Sequence, residues 1–322
     1  MGRDCYFHAT RRNWRDSNCV SICMHLPAAT LALLLSVAAL GQQVPAPGPD
    51  PKTSVPTATL SQEQIRELIQ ETADKDLEND KRQRDYTYTE RDEERHLDGK
   101  GQVKTTETKT YDVMEIYGEQ VQKLIAKDDK PLSGKDARKE DEKIQKLIDK
   151  RRNESDSDRK KRLEKEEKDR EENRQFVREV ADAYNFKFVG VEIADGRENY
   201  VIDGDPRPGY QPHLKDAKIL PKFRFRAWID KDEDQWKKLD VQCIDTVSFG
   251  LFLARLHKGS RIVIEQTRVN DEVWLPQHVA VNVDVRVALL KNFDIAVDDT
   301  YTNYKKFRTE TRIVPLGELA KP

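Results

Sequence analysis

The strictest constraint on the fold is the alternation of residues 279–289, where valine or leucine fills every second position. The intervening side chains are more polar and include Asn282 and Arg286. Because successive side chains of a β-strand point to opposite faces of a sheet, this pattern predicts a strand with one buried and one wetter face. Shorter alternating runs at 223–227 and 239–243 predict further strands of the same sheet.

Turn residues show how the predicted strands are connected. Residues 86–97 and 102–117 are rich in Tyr, Thr and Val, and they flank an Asp-Gly-Lys-Gly turn at 98–101. This arrangement predicts a β-hairpin. From Phe186 onward, further clusters of turn residues separate short apolar runs, which is typical of an antiparallel meander. The sequence therefore predicts a largely antiparallel sheet.

A highly charged segment interrupts these strand signals. Of the 37 residues from 138 to 174, 28 are charged, 15 basic and 13 acidic. Pairs at helical spacing, such as Glu142 with Lys146, support an exposed helix. Apolar residues gather only at the two ends of the segment, so only the ends can dock on a core. We predict a charged helical insertion at residues 133–184, either as one rod or as a helical hairpin divided near 153–158.

A helix is also predicted directly before the first strands. Ser61 and Gln64 have the spacing of a capping box. The apolar residues that follow, including Ile65, Leu68 and Ile69, recur at helical spacing. We expect a short amphipathic helix that packs its apolar stripe against the sheet.

The N-terminal region has the pattern of an export signal. Residues 26–40 form the strongest apolar run, which is shorter than the ~20 residues that span a bilayer. Arginines precede the run, and a small-x-small site at 39–41 predicts cleavage before Gln42. The initiating residue is Met1 or Met24, and the sequence leaves this choice open.

These signals divide the chain into three parts. We predict a signal peptide at 1–41, cleaved near Gly41, a Pro-rich linker at 42–59 and a single β domain at 60–322. The mature chain keeps one of the four cysteines, Cys243, so it can form no intramolecular disulfide. No cysteine follows the apolar run directly, as attachment of a lipid would require. We therefore expect a soluble periplasmic or secreted protein without a membrane span.

Charge and motif content exclude several functions. The formal net charge of −2 provides no basic field for nucleic acid. None of the many carboxylates lies in an apolar sequence context that would raise its pKa, and no nucleophile elbow or Gly-rich phosphate loop occurs. The histidines lack i,i+3 or i,i+4 partners for zinc, and Cys243 alternates with core positions, as a buried thiol does. We predict no enzymatic activity, no cofactor and no metal site.

Three C-terminal stretches resemble the periplasmic outer-membrane lipoprotein-sorting (LolA/LolB-like) superfamily. They are residues 221–243 (PKFRFRAWIDKDEDQWKKLDVQC), residues 248–265 (SFGLFLARLHKGSRIVIE) and the Trp274-Leu275-Pro276 step into residues 279–290 (VAVNVDVRVALL). The resemblance covers residue 86 to about residue 307, apart from the charged insertion. It implies an α+β fold in which a strongly curved antiparallel sheet forms an unclosed half-barrel covered by helices.

In that superfamily the apolar concave face accepts acyl chains in passage between membranes. The resemblance therefore implies a non-enzymatic lipid or lipoprotein carrier of the cell envelope, with the N-terminal helix as a candidate lid. The strand arginine of such carriers has four equivalent candidates here, Arg224, Arg226, Arg261 and Arg286. The residues predicted to bind the ligand, on the concave face and the lid, are Phe223, Phe225, Trp228, Leu239, Val241, Val281, Val283, Val285, Ile65, Leu68 and Ile69.

The charged insertion departs from the compact carriers and supports an alternative function. In this alternative the β domain is a scaffold of the cell envelope, and the segment from Lys139 to Arg174 contacts a protein partner. The sequence does not identify the ligand, the partner, the oligomeric state or the sheet face that forms the cavity.

Overall fold

A computed structural model describes residues 59–117, 119–249, 254–287 and 291–306. The predicted signal peptide and nearly all of the predicted linker lie outside the described residues.

Within the described residues, each α-helix begins at a serine cap. The helices are α1 (Gln62–Gln83), α2 (Gly134–Arg152) and α3 (Asp156–Ala183), with a 3-10 helix at Asp216–Lys222. The side chains of Ser61, Ser133 and Ser155 each accept a hydrogen bond from the backbone N–H three residues later, which satisfies a donor that has no partner inside the helix. The Ser61 N–H in turn donates a hydrogen bond of 2.9 Å to the Gln64 side-chain oxygen. The two bonds together confirm the predicted capping box.

The strands form one antiparallel sheet. In chain order they are β1 (Tyr86–Leu97), β2 (Val103–Ile116), β3 (Glu119–Lys127), β4 (Lys130–Pro131), β5 (Tyr184–Ala194), β6 (Arg197–Pro206), β7 (Phe223–Asp230), β8 (Trp236–Cys243), β9 (Val247–Phe249), β10 (Ala254–Leu256), β11 (Arg261–Val269), β12 (Val273–Val287) and β13 (Lys291–Lys306).

The order across the sheet is β4-β3-β2-β1-β13-β12-β11-β8-β7-β6-β5, with β10 paired to β12 and β9 paired to β10. Among the described strands, β4 and β5 stand at the two ends and do not pair with each other, so the sheet is not closed. The predicted α+β fold with an unclosed, curved antiparallel sheet is confirmed. None of the described helices is long and apolar enough to cross a membrane.

The charged insertion is a helical hairpin rather than a single rod. Residues 153–155 separate α2 from α3, and Ser155 caps the second helix. No residue of α2 is buried, whereas Phe176, Ala181 and Ala183 of α3 are. The insertion is therefore anchored mainly through the C-terminal end of α3.

Two separate groups of buried side chains make up most of the core. The inner-face cluster consists of Tyr88, Tyr111, Val113, Phe223, Val241, Cys243, Val247, Leu256, Ile262, Val279, Val281, Val283, Val285, Ile295, Val297 and Tyr301. The helix cluster joins α1 and α3 to the β5 end of the sheet through Ile65, Leu68, Ile69, Phe176, Ala181, Ala183, Tyr184, Phe186, Ile202, Ala217, Leu220, Ala227 and Ile229.

Candidate functional site

The candidate site is the concave inner face of the half-barrel, whose residues follow from the strand register. Val279 and Val281 of β12 lie beside Ile264 and Ile262 of β11. The same two rows continue into Leu239 and Val241 of β8 and then into β7. An apolar surface thus runs across four neighbouring strands, because each strand contributes every second side chain to it.

Most of the predicted ligand-binding residues of the sheet lie on this surface. Phe223, Val241, Val281, Val283 and Val285 are buried members of the inner-face cluster. Phe225 and Leu239 are partly buried and pack against both the inner-face cluster and the helix cluster. The structure therefore brings these residues together, although it does not test whether they bind a ligand.

Trp228 is the exception, because it does not share the face of the other predicted strand residues. In β7 the inner positions are 223, 225, 227 and 229, so residue 228 points to the outer face. Trp228 stands opposite Lys238 in the ladder, the Lys238 ammonium lies 5.3 Å from its ring centroid, and its indole N–H donates to Glu192 at 2.9 Å.

The outer face around Trp228 forms a polar groove of 550 Å³. Its charged residues are paired across the strands. Arg226 binds Asp203 through two bonds of 2.6 and 2.9 Å, and Arg261 binds Asp240 in the same way. Three of the four candidate arginines, Arg224, Arg226 and Arg261, line this groove, so they lie outside the apolar inner surface.

The predicted lid residues Ile65, Leu68 and Ile69 are buried, but in the helix cluster rather than over the inner-face cluster. Polar contacts hold α1 in this position. Asn79 exchanges two bonds of 2.8 Å with the backbone of Trp274, and the partly buried Asp76 accepts bonds from Gln235 and Trp236 at 3.0 and 2.8 Å. Burial raises the pKa of Asp76 to about 6. A lid role for α1 stays a prediction.

The inner face also carries three carboxylates, Glu90 and Asp92 of β1 and Asp299 of β13. Asp92 stands directly opposite Asp299 in the ladder. Asp299 has no exposed surface and Glu90 is 2% exposed. Within the described residues, none of the three has a basic side chain within 4.0 Å, the limit for an ion pair. Asp92 faces Lys109 of β2 in the ladder, but the Lys109 ammonium is bound to Glu107 at 3.2 Å.

Burial dominates the titration of these three groups. It raises the pKa of Glu90 to about 7, which the hydrogen bond from Gln122 partly offsets. Burial also raises the pKa of Asp299, and the nearby charges of Asp92 and Glu90 raise it further, whereas a hydrogen bond with Tyr301 lowers it. The pKa of Asp92 is raised for the same first reason, and Lys109 acts in the opposite direction. Each group therefore holds its proton to a higher pH than a free carboxyl group does.

The expectation that no carboxylate lies in an apolar context is thus wrong for these three residues. A signal was available in β13, where Ile295, Val297 and Tyr301 share one face and Asp299 occupies the same register. Extending the alternation of buried residues from Val297 to Tyr301 places Asp299 on the buried side of the sheet.

Other candidate groups have ordinary roles. The Cys243 thiol is buried and free, it donates to the Asp245 carbonyl at 3.0 Å, and burial raises its pKa to about 11. A thiol with a raised pKa is a poor nucleophile at neutral pH. The described residues contain no group of three or more His, Cys, Asp or Glu side chains placed to hold a metal ion.

Comparisons with known proteins give similarities to solved structures only. No family model matches the sequence, and no curated protein does. A domain named for outer-membrane lipoprotein sorting from Vibrio parahaemolyticus is 10% identical over 79% of this chain and 96% of its own, with a TM-score of 0.33. A LolA superfamily protein from Nitrosomonas europaea is 9% identical over 81% of this chain and 98% of its own, with a TM-score of 0.24.

A DUF1329 family protein from Desulfovibrio piger is also similar, with 11% identity over 77% of this chain and 95% of its own and a TM-score of 0.29. These matches include the superfamily that the sequence resembles. At such identities and TM-scores they transfer no ligand or partner to this chain.

Proposed function

We propose that this protein is a non-enzymatic binding protein of the cell envelope that holds an acyl chain, or a comparable alkyl chain, on its inner face. The observation that supports this proposal is the continuous apolar surface across β12, β11, β8 and β7 inside an unclosed sheet. An alkyl chain placed there gains ~0.8 kcal/mol for each CH₂ group that it removes from water.

The unclosed sheet provides a route for the chain to enter. The side chains of the inner-face cluster are at most 9% exposed, so the half-barrel must widen to admit a ligand. No ladder joins the terminal strands β4 and β5 in the described chain. Widening can therefore occur by a change of curvature without loss of backbone hydrogen bonds between strands.

Uptake of an uncharged fluorescent acyl ester by delipidated protein tests the proposal. We expect saturable binding by the unchanged protein and a loss of about tenfold or more in affinity for Val281→Phe, whose ring would fill the inner face. Val189→Phe is the matched control, because Val189 is 42% exposed at the edge of the sheet. A rigorously delipidated, folded protein that takes up no ester would reject the proposal.

The proposed location follows from the export signal. We propose that the chain reaches the periplasm, or the medium, after cleavage near Gly41. N-terminal sequencing of the protein from that compartment should begin at Gln42. A protein recovered only from the cytoplasm with residues 1–41 intact would contradict this location.

A second candidate function is an interaction role for the α2–α3 hairpin. It is supported by the absence of buried residues in α2 and by the exposure of Leu163, which is 47% exposed on α3. If the hairpin binds an envelope protein, replacing the segment from Lys139 to Arg174 with a short Gly/Ser linker should abolish capture of that protein and leave ester uptake intact. Unchanged partners would reject this role.

A further inference from the structure

The first half of α3 is presented to solvent. Among its described side chains from residue 156 to residue 169, Arg162 alone is partly buried, and it is bound to Glu154 at 2.9 Å. The helix docks on the core through its other half, which contributes Phe176 and Ala181 to the helix cluster. About four turns of helix thus project from the core with a surface that the fold of one chain does not use.

One apolar side chain, Leu163, interrupts the charged surface of this half. It is 47% exposed and lies in a shallow depression of 410 Å³. Residues three or four positions apart share one face of a helix, and such residues line the depression: Asp156, Arg159, Lys160, Leu163, Glu164 and Glu167. A single exposed leucine is ordinary on a protein surface, but the charges around this one form a pattern.

The charges of this face reverse their sign about Leu163. The residues three, four and seven positions before Leu163 are lysine, arginine and aspartate, and those at the same distances after it are glutamate, glutamate and arginine. Each charge on one side of Leu163 therefore has an opposite charge at the same distance on the other side. Because these spacings keep residues on one helix face, the reversal runs along the surface that Leu163 occupies.

This charge pattern selects one kind of partner. The glutamates after Leu163 would repel a uniformly acidic surface, and the lysine and arginine before it would repel a uniformly basic one. A parallel copy of α3 would place like charges side by side. An antiparallel copy, related by a two-fold axis at Leu163, places opposite charges together along the whole face, because a two-fold interface repeats every contact of residue i with residue j as j with i.

We propose that α3 pairs with α3 of a second copy of this chain, antiparallel and with Leu163 of both copies at the two-fold axis. Arg159 then lies beside Glu167 of the second copy, and Glu167 beside Arg159 of the second copy. Both side chains are exposed, and Glu167 also accepts a bond of 3.1 Å from Arg174 of its own chain. The contact is about 21 Å long and rich in exposed ion pairs, so the dimer is weak and sensitive to salt. The inner face takes no part in this contact, which is therefore independent of acyl-chain binding.

Sedimentation equilibrium of the purified protein tests the proposal. We expect a monomer–dimer equilibrium whose dissociation constant rises by about tenfold between about 0.05 and 0.5 M salt. Arg159→Glu and Glu167→Arg should each weaken self-association by about tenfold or more, because each change turns two attractive pairs of the dimer into repulsive ones. An equimolar mixture of the two variants should associate as the unchanged protein does, since both pairs between unlike variants are attractive again.

Lys165→Glu is the matched control, because Lys165 lies about 200° around the helix from Leu163 and should not affect association. Leu163→Asp should abolish the dimer, and far-UV circular dichroism checks that every variant keeps its helices. A protein that stays monomeric at every concentration would overturn the proposal, as would a mixture of the two charge variants that associates no better than either alone. A dimer that Leu163→Asp leaves unchanged would show that another surface pairs, and it would also overturn the proposal.

Discussion

The carboxylates of the outer groove and those of the inner face at β1 and β13 have different neighbours. On the outer face Asp203 and Asp240 each stand opposite an arginine, and both are bound by a guanidinium fork. On the inner face Asp92 and Asp299 stand opposite each other. The groove thus holds pairs of opposite charge, whereas β1 and β13 bring two acids together inside the half-barrel.

The two groups of carboxylates therefore differ in their effect on the stability of the folded chain. Exposed ion pairs across strands add little stability. Uncompensated buried acids lower the stability of the folded chain unless they bind a proton or a cation. The paired charges of the outer groove are therefore explained by the fold alone, whereas the inner Asp92–Asp299 pair holds a proton to a higher pH than a free carboxyl group does.

The largest effect is expected where the inner face is apolar. Ile262 is 7% exposed in the inner-face cluster, and Ile262→Ala should lower the free energy of unfolding by about 2–5 kcal/mol. Arg261 is the adjacent residue and points outward, so Arg261→Ala should cost less than about 1 kcal/mol. Urea denaturation measures both, and equal losses would contradict the assignment of the two faces.

The next effect is a gain of stability at Asp299. Its pKa is raised in the folded chain, so the folded state binds more protons than the unfolded state once the pH exceeds about 4. Stability should therefore fall as the pH rises toward the raised pKa. Asp299→Asn removes this loss and should stabilise the protein by about 1–3 kcal/mol at about pH 8.

The measurement is the free energy of unfolding of both proteins between about pH 4 and 9. Asp240→Asn is the matched outer-face variant and should not stabilise the protein at any pH in this range. A profile for Asp299→Asn that runs parallel to that of the unchanged protein would show that Asp299 is not an uncompensated acid.

A smaller gain is expected at Glu90, whose charge is partly offset by Gln122. Burial raises the pKa of Glu90 to about 7, so its destabilising contribution grows between about pH 4 and 7. Glu90→Gln should gain about 0.5–1.5 kcal/mol at about pH 8. A gain larger than that of Asp299→Asn in the same denaturation series would reverse the order proposed for the two acids.

The smallest effect is expected at Trp228. Its ring lies on the outer face, so Trp228→Leu should leave the affinity for the acyl ester unchanged. Leu239→Ala, which removes an inner side chain one strand away, should weaken binding measurably. Fluorescence titration checks both variants, and a loss of binding in Trp228→Leu alone would place the ligand in the outer groove.

Much of the sheet could be predicted from the sequence because its strands carry strong alternation. The valines of β12 and the Phe223–Phe225 pair of β7 occupy the predicted face, since period-two alternation leaves little freedom of register. Trp228 could not be placed by size and hydrophobicity alone. It continues an apolar run, but it lies an even number of residues from Arg224 and Arg226. Alternate residues of a strand point to the same face, so Trp228 shares the face of these arginines.

The alternation of β13 could place Asp299 on the buried side, but its pairing with Asp92 could not be predicted from local sequence, because the two residues are distant in the chain. Asp92 and Asp299 become neighbours only when β1 pairs with β13. The position of α1 depends in the same way on Asn79 meeting the backbone of Trp274. Such contacts follow from strand order, which hydrophobic patterns do not specify.

The most direct test of the central claim is methyl NMR of valine-labelled protein titrated with the uncharged acyl ester. The account predicts that the methyl signals of Val279, Val281 and Val283 shift on binding, whereas Val201 and Val273, which are fully buried outside the inner-face cluster, stay in place. Saturable binding that leaves the three inner valines unchanged and shifts Val201 or Val273 would contradict it.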